Sequence, residues 1–211
     1  FATAVMLAST AFFIMERNDV SAKWKTSLSV ATLVTGIAFW HYLYMSKMFL
    51  TGNGSPLALR YVDWLITVPL QIVEFYLILA AVTVVSRSLF WQLLGASVVM
   101  LLGGFFGEAC EGWAMPGFIV GMAGWLYVLY LIFMGEASKV NSNSGNEASQ
   151  KAFNALRFVV LIGWSIYPIG YFVNMSGDAV NTTNIIYNFA DLINKAAFGL
   201  FIWAAAKSDK K

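Results

Sequence analysis

Residues 56–82 read PLALRYVDWLITVPLQIVEFYLILAAV, a long apolar stretch in which only Arg60, Asp63 and Glu74 are charged. A transmembrane helix needs about 20 mostly apolar residues, and this stretch is long enough. Its charged side chains stand inside the apolar run, where an ionisable group is costly and by default a candidate for function. The stretch therefore predicts a membrane-spanning helix that carries a functional site.

The rest of the chain repeats this apolar pattern. Polar, glycine-containing or proline-containing breaks separate seven apolar runs, at residues 1–15, 26–48, 56–82, 88–107, 116–134, 153–173 and 183–206. We expect the first run to be clipped at its start, because the sequence begins without Met inside it. The long hydrophilic stretch at residues 135–151 predicts an exposed flexible loop. Nothing marks a second domain, so we expect one seven-helix transmembrane domain over residues 1–211.

The composition supports an all-α membrane protein. Of the 211 residues, 59% are apolar and only 11% are charged, whereas soluble domains carry about 25% charged residues. A net charge of +2 and the lack of a phosphate-binding loop motif argue against nucleic acid as a partner. With one His and one Cys in the chain, we expect no metal site. Membrane lipids are the expected surroundings.

The connections between the runs predict how the chain is oriented. Lysine and arginine concentrate on the cytoplasmic side of membrane proteins. The first, third and fifth connections and the tail carry Arg17, Lys23, Lys25, Arg87, Lys139, Lys151, Lys207, Lys210 and Lys211. The opposite connections hold Lys47 and the carboxylates Glu108, Glu111 and Asp178. We therefore expect the N-terminus outside and the C-terminus in the cytoplasm.

Glycine pairs on two neighbouring runs have the spacing that lets helices pack closely. Gly103 and Gly107 form one GxxxG pair, and Gly117 and Gly121 form another. Such pairs serve either dimerisation or close packing inside a bundle. We expect close internal packing here.

Six ionisable side chains lie well inside the predicted spans: His41, Arg60, Asp63, Glu74, Asp191 and Lys195. At about 100° per residue, the three on residues 56–82 share one helix face with Thr67. Asp191 and Lys195 are four residues apart and share a face with Tyr187. The alternative for Arg60 is that it reaches the surface from a helix end.

A charge count separates Glu74 from the other carboxylates. Asp63 and Asp191 are enough to balance Arg60 and Lys195. Glu74 is left without a cation in any span, and because burial disfavours the charged form we expect it to be protonated at rest. An ionised carboxylate toward the outside and a protonated one about 16 Å inward suit the two ends of a proton path. The alternative is a static polar network that stabilises the bundle.

The buried amine of Lys195 has three possible uses, as a general base, a structural cation or a Schiff-base former. Aromatic and soft apolar side chains are abundant in the spans, and they suit an elongated polyene ligand. Taken singly, each is more often core packing or an interfacial residue. The candidates are Trp64, Met100, Trp125, Trp164, Tyr167 and Tyr187, with Tyr42 nearby.

Several motifs in order resemble the microbial rhodopsins. RYVDWLITVP at residues 60–69, WSIYP at 164–168 and DLINK at 191–195 are similar to the signatures of the family's third, sixth and seventh helices. AKWKTS at residues 22–27, GIAFWHY at 36–42 and EFYLILA at 74–80 more narrowly resemble the proteorhodopsins, light-driven proton pumps of marine bacteria. The resemblance covers nearly the whole chain.

This resemblance implies roles for the buried polar residues. Lys195 would bind all-trans retinal as a protonated Schiff base, with Asp63 as counterion and proton acceptor and Asp191 as second counterion. Glu74 would be the cytoplasmic proton donor, and Arg60 would orient the outer network. His41 would pair with the acceptor, the alternative being a core histidine. The resemblance also implies a bacterial inner membrane and a homo-oligomer, a pentamer or hexamer.

The resemblance further implies the transported ion and the colour. Asp63, Thr67 and Glu74 match the acceptor, threonine and donor pattern of outward proton pumps. Gln71 stands where blue-absorbing proteorhodopsins carry Gln and green-absorbing ones carry Leu, although it could instead only bond a neighbouring helix. The competing function is a photosensory receptor that signals through a partner, and sensors often lack a carboxyl donor. An ordinary secondary transporter would need paired repeats, and the sequence has none.

Overall fold

A computed structural model describes residues 1–52, 56–175 and 180–209, and the regular elements in those ranges are all helical. The longer helices are α1 Ala2–Glu16, α2 Lys25–Thr51, α3 Leu57–Ala80, α4 Arg87–Ala109, α5 Ala114–Phe133, α6 Glu136–Ser142, α7 Glu147–Phe158, α8 Ile166–Met175 and α9 Val180–Ser208. Short 3₁₀ turns, Arg17–Asp19 and Ala22–Trp24, lie between α1 and α2, and the π-helical segment Val159–Gly163 follows α7. Asp178, Lys210 and Lys211, which entered the orientation prediction, lie outside the described residues.

These helices form the predicted seven-helix bundle. In the described ranges, six helical spans are long and apolar enough to cross a membrane, one of them made of α7, the π-helical segment and α8. The seventh member, α1, has 15 residues and packs against α2 and α9. Neighbouring spans contact one another in order, and α9 closes the ring against α1 and α2. The chain is a multi-pass membrane protein.

Helix α3 carries its polar side chains toward the interior of the bundle. Arg60, Asp63, Thr67, Gln71 and Glu74 are each at most 2% exposed. Their spacing of three or four residues places them along one side of the helix. The face predicted for residues 56–82 is therefore buried in the bundle.

Helices α4 and α5 cross at their glycines. A Cβ atom added to Gly103 would lie 2.6 Å from the backbone nitrogen of Gly121, and one added to Gly117 would lie 2.6 Å from the carbonyl oxygen of Gly103. No real Cβ fits at that distance, so the two backbones touch because these positions lack a side chain. The predicted internal packing of the GxxxG pairs is confirmed.

The prediction of an exposed flexible loop at residues 135–151 is wrong. This segment holds α6 and the start of α7, and Asn141 and Ser149 are buried. The Asn146 side chain accepts a hydrogen bond from the Ser149 backbone N–H at 2.8 Å and caps α7. Lys151 pairs with Glu147 one turn earlier, at 2.6 Å. The polar residues that suggested a loop serve instead as a helix cap and as surface pairs.

The sixth span is interrupted, whereas the sequence predicts one unbroken run over residues 153–173. At the π-helical segment the Trp164 N–H donates to the carbonyl of Val159, five residues back, at 3.1 Å. Carbonyls of this segment accept side-chain hydrogen bonds, Val160 O from Trp125 Nε1 at 3.1 Å and Gly163 O from Asn194 Nδ2 at 2.9 Å. Hydropathy does not reveal such a break, because its residues are as apolar as their neighbours.

Candidate functional site

The centre of the bundle holds one buried amine between two buried carboxylates. Lys195 on α9 is 1% exposed, and it ion-pairs with Asp63 on α3 and with Asp191 one turn earlier on α9. The second of these contacts, from Nζ to Asp191 Oδ2, measures 3.1 Å. Desolvating such charges costs several kcal/mol each unless they are paired. The three side chains therefore depend on one another.

Asp191 is the more fully bonded of the two carboxylates. Its Oδ1 accepts hydrogen bonds from Trp64 Nε1 at 2.9 Å and from the Tyr167 hydroxyl at 2.7 Å. Its Oδ2 accepts one from the Tyr42 hydroxyl at 2.9 Å as well as the Lys195 contact. Donors from α2, α3, α8 and α9 thus hold its position, and each favours the ionised carboxylate.

Asp63 is bonded less completely. One oxygen meets Lys195, while the polar neighbour of Oδ1 within the described part of the chain is the His41 ring. His41 Nδ1 lies 3.3 Å from this oxygen and 3.1 Å from the carbonyl oxygen of Ile37. Thr67 donates its hydroxyl to the backbone carbonyl of Asp63 at 3.0 Å. Of the two carboxylates at Lys195, Asp63 is therefore the one with capacity to take up a proton.

An aromatic cavity adjoins this charged centre. The six side chains predicted to contact a ligand all line it: Trp64, Met100, Trp125, Trp164, Tyr167 and Tyr187. Trp64 and Tyr167 form part of its wall and also donate to Asp191, so the Lys195 amine lies just behind that wall. A buried lysine next to an apolar, aromatic-lined pocket is the environment that a polyene aldehyde needs. The residues present fit retinal.

Gln71 lies outside the lining of this cavity. Its Nε2 donates to the backbone carbonyl of Asn194 at 3.2 Å, on the residue before Lys195. The structure thus places the amide against α9, as the alternative interpretation of Gln71 expects, yet one peptide from the lysine.

Arg60 lies one turn before Asp63 on α3 and is held by neutral groups. Its Nη2 donates to Asn188 Oδ1 at 2.9 Å and to Asn184 Oδ1 at 3.3 Å. Its guanidinium carbon lies 5.4 Å from the ring centre of Tyr187 and 5.9 Å from that of Trp64. The sequence analysis balanced the two cations, Arg60 and Lys195, with the two aspartates. The structure corrects this pairing, because both aspartates bind Lys195 and neither binds Arg60. The alternative that Arg60 snorkels to the surface is wrong, since it is 2% exposed.

Glu74 lies toward the other end of α3. Its side chain is 1% exposed, and its polar neighbour in the ranges that the structure describes is the buried Ser27 on α2. Ile72, Phe75 and Ile78 around it in sequence are fully buried. A buried carboxyl group with one hydroxyl neighbour and no cation beside it is favoured as the neutral acid.

Several polar residues at the site were missed by the sequence analysis. They are Tyr61, Glu108, Asn174, Asn184, Asn188 and Asn194. Asn184, Asn188, Asp191 and Lys195 follow one another at intervals of four, three and four, so the helical period could have found two of them. Glu108 was assigned to a connection because it follows the apolar run directly.

The family of the chain follows from comparison with known proteins. A profile for the family described as bacteriorhodopsin-like protein matches residues 1–208. The chain belongs to this bacteriorhodopsin-like family. This bacteriorhodopsin-like chain is 53% identical over 208 residues to the blue-light absorbing proteorhodopsin of Gamma-proteobacterium Hot 75m4, covering 97% of the chain and 82% of that relative.

Two further similar proteins within the bacteriorhodopsin-like family are also proteorhodopsins. The green-light absorbing proteorhodopsin of Gamma-proteobacterium EBAC31A08 is 52% identical over 208 residues, covering 97% of the chain and 83% of that relative. The crystal structure of the blue light-absorbing proteorhodopsin from Med12 superposes with a TM-score of 0.87 at 56% identity, covering 99% of the chain and 96% of that structure. The predicted resemblance to microbial rhodopsins is confirmed.

Proposed function

We propose that the chain is a light-driven outward proton pump that absorbs blue light and carries all-trans retinal on Lys195. It works as one domain in the inner membrane of a bacterium, as a homo-oligomer of five or six copies, and as an ion transporter rather than an enzyme. Held by Lys195, retinal would supply the absorption of light and the isomerisation that follows it. The similarity to proteorhodopsins of both colours supports the transport activity.

The unequal bonding of the two carboxylates at Lys195 is the observation that carries this proposal. Lys195 Nζ holds the proton at rest, stabilised by both carboxylates. Asp191, with its additional donors, keeps its charge and fixes the amine. Asp63, whose Oδ1 has the His41 ring nitrogen at 3.3 Å and no further donor among the described residues, accepts the proton. A proton that leaves the lysine nitrogen therefore moves toward α3.

The polar residues on α3 to either side of Asp63 give the proton movement its direction. Arg60 lies outward of Asp63, where a positive charge held by neutral amides can respond when the charge of Asp63 is lost. Glu74 lies inward and, as a neutral acid whose polar neighbour is Ser27, has a proton to return to Lys195 Nζ. The presence of this buried donor disfavours the photosensory alternative.

Light-driven acidification tests the proposed function directly. Cells that express the protein and receive retinal should acidify an unbuffered medium on illumination, and a protonophore should abolish the change because it collapses the gradient. Cells that express Lys195→Ala serve as the matched control. A purified wild type that is coloured but causes no acidification would contradict pumping and favour a sensor.

Glu74→Gln should slow the return of the proton to Lys195 Nζ by about a hundredfold, within the range for losing a positioned acid. Colour and the first transfer to Asp63 should remain, because Glu74 lies about 16 Å from that carboxylate. Flash photolysis measures the recovery, and added azide, a small mobile proton donor, should restore much of the speed. The exposed Glu147→Gln is the control. Unchanged recovery in Glu74→Gln would remove this residue from the path.

Gln71→Leu should move the absorption toward the green. The amide lies at the peptide before Lys195, where its dipole favours a ground state with positive charge close to the lysine nitrogen, and the larger optical gap is lost with the amide. Spectra of purified protein give the result, with Gln92→Leu on α4 as the control. An unchanged wavelength with a lower melting temperature would show that Gln71 only bonds α9.

A further inference from the structure

A cation near the start of the sixth span has no polar partner, and no step of the proposed pump uses it. Arg157 lies on α7, inside the apolar run at residues 153–173. Its guanidinium carbon lies 5.0 Å from the ring centre of Phe133 and 5.8 Å from that of Phe158. Neither an ion pair nor a hydrogen bond joins this guanidinium to another group in the described parts of the chain. Arg157 thus carries a positive charge that its protein neighbours leave unbalanced.

The end of α5 fixes the depth of Arg157 in the membrane. Helix α5 ends at Phe133, and the chain then enters the polar helix α6 at Glu136. This connection lies on the cytoplasmic side by the orientation that its lysines predict. Because the guanidinium packs against the Phe133 ring, Arg157 lies where the hydrocarbon core meets the cytoplasmic headgroups. Its charge is therefore at the level of lipid phosphates and not in the middle of the bilayer.

The surface around Arg157 faces away from the bundle. Phe158, which follows it on α7, is exposed, as are Tyr130 and Met134 at the end of α5. Arg157 itself is half-buried. Its Nε is enclosed, whereas its two Nη atoms, which are also unbonded among the described residues, remain accessible. The side chain thus presents a planar fork of donors, which matches the oxygens of a phosphate.

We propose that Arg157 binds the phosphate of an anionic phospholipid of the cytoplasmic leaflet, whose acyl chain packs on Phe158 and on the exposed end of α5. Charge complementarity favours this occupant, because the single negative charge of a lipid such as phosphatidylglycerol balances the unpaired guanidinium. Zwitterionic phosphatidylcholine brings an ammonium of its own and leaves the charge of Arg157 unbalanced. A free phosphate ion has no acyl chain to cover the exposed aromatic side chains. The site does not depend on the proposed transport activity.

The proposed lipid site lies next to the interruption of the sixth span. The π-helical segment Val159–Gly163 begins two residues after Arg157. Its Val160 carbonyl accepts the hydrogen bond from Trp125, which lines the aromatic cavity. A headgroup held on Arg157 therefore stabilises the helix beside this break, and we expect phosphatidylglycerol to raise the melting temperature of the protein.

Native mass spectrometry of the delipidated, retinal-reconstituted protein measures the binding directly. The wild type should bind phosphatidylglycerol about five- to tenfold more tightly than phosphatidylcholine, as one unpaired arginine at the headgroups allows. Arg157→Met should lose this preference, and Arg157→Lys, which keeps the charge without the fork, should keep part of it. Lys139→Met removes an exposed cation on α6 and is the matched control, which should bind as the wild type does.

Photo-crosslinking tests where the lipid lies. Phosphatidylglycerol with a diazirine in its acyl chain, added to phosphatidylcholine vesicles that hold the wild type, should label the peptide that contains Phe158. Arg157→Met, shown to be folded by circular dichroism, should lose this label. Unlabelled phosphatidylglycerol should suppress the label in the wild type, whereas unlabelled phosphatidylcholine should not. This competition needs no variant and provides the test if Arg157→Met fails to fold.

Three results would each overturn the lipid site. They are equal binding of the two lipids by the wild type, the same loss of preference in Lys139→Met as in Arg157→Met, and displacement of the label by millimolar inorganic phosphate. The second would mean diffuse attraction by surface charge, and the third would mean a site for free anions. A protein that binds phosphatidylglycerol at Arg157 but moves no proton would overturn the proposed function alone.

Discussion

Lys195→Ala should give a colourless protein when retinal is added, because the amine that binds the chromophore is lost. Among the described residues Lys195 is the one buried lysine, so no other primary amine can take its place beside the aromatic cavity. The absorption spectrum after reconstitution measures the effect, and we expect the visible band to disappear completely. Lys47→Ala, at an exposed lysine on α2, should keep full colour.

The alanine variant also leaves Asp63 and Asp191 facing each other without a cation, which is destabilising. Lys195→Arg separates loss of the amine from loss of the charge, because it retains a cation but cannot condense with an aldehyde. It should be folded by circular dichroism and equally colourless. A visible band in either variant that survives denaturation and borohydride reduction would show that the chromophore is attached elsewhere.

Asp63→Asn should shift the absorption to the red and reduce outward proton movement by at least about a hundredfold. The carboxylate stabilises the positive charge at Lys195 Nζ in the ground state, so neutralising it narrows the optical gap, and the amide cannot accept the proton. For the same reason the wild-type band should move to the red as pH falls and Asp63 takes up a proton. Asp63→Asn should show no such movement.

The pH titration of the wild type also tests the contact with His41. Because His41 Nδ1 lies 3.3 Å from Asp63 Oδ1, the two groups should titrate as a coupled pair, and His41→Gln should change the shape of the curve. Asp19→Asn, at an exposed carboxylate, is the control. A wild-type band that follows pH in the same way as that of Asp63→Asn would refute the counterion role.

The charged residues of the site were predictable from the sequence, and the hydrogen bonds that neutral side chains make to them were not. Asp63, Glu74 and Lys195 stand out because charge inside an apolar span has few explanations. Tyr42 and Asn188 hold Asp191 and Arg60 just as directly. Tyrosine and asparagine are common enough in membrane helices that only their distance to a charge identifies them.

The helices divide in the same way into features that the sequence predicts and features that it does not. Apolar length predicts α3 and α4 closely, because burying a backbone in lipid leaves a helix as the available form. The helical start of α7 at Glu147 depends on a cap from Asn146, and the interruption at residues 159–163 depends on donors from Trp125 and Asn194. The cap is a local side-chain contact and the interruption involves tertiary contacts, and hydropathy along a single segment contains neither.

Asn194 links three spans through one residue. Its carbonyl accepts from Gln71 on α3 and its side-chain amide donates to Gly163 in the sixth span, while its own backbone belongs to α9. A Cβ at Gly163 would collide with the Asn194 side chain. Effects of substitutions at positions 71 and 163 should consequently be non-additive, since both act on the same partner. Across relatives, positions 71 and 163 should covary with residue 194. The colour change that a substitution at position 71 causes should then depend on which residue stands at position 163.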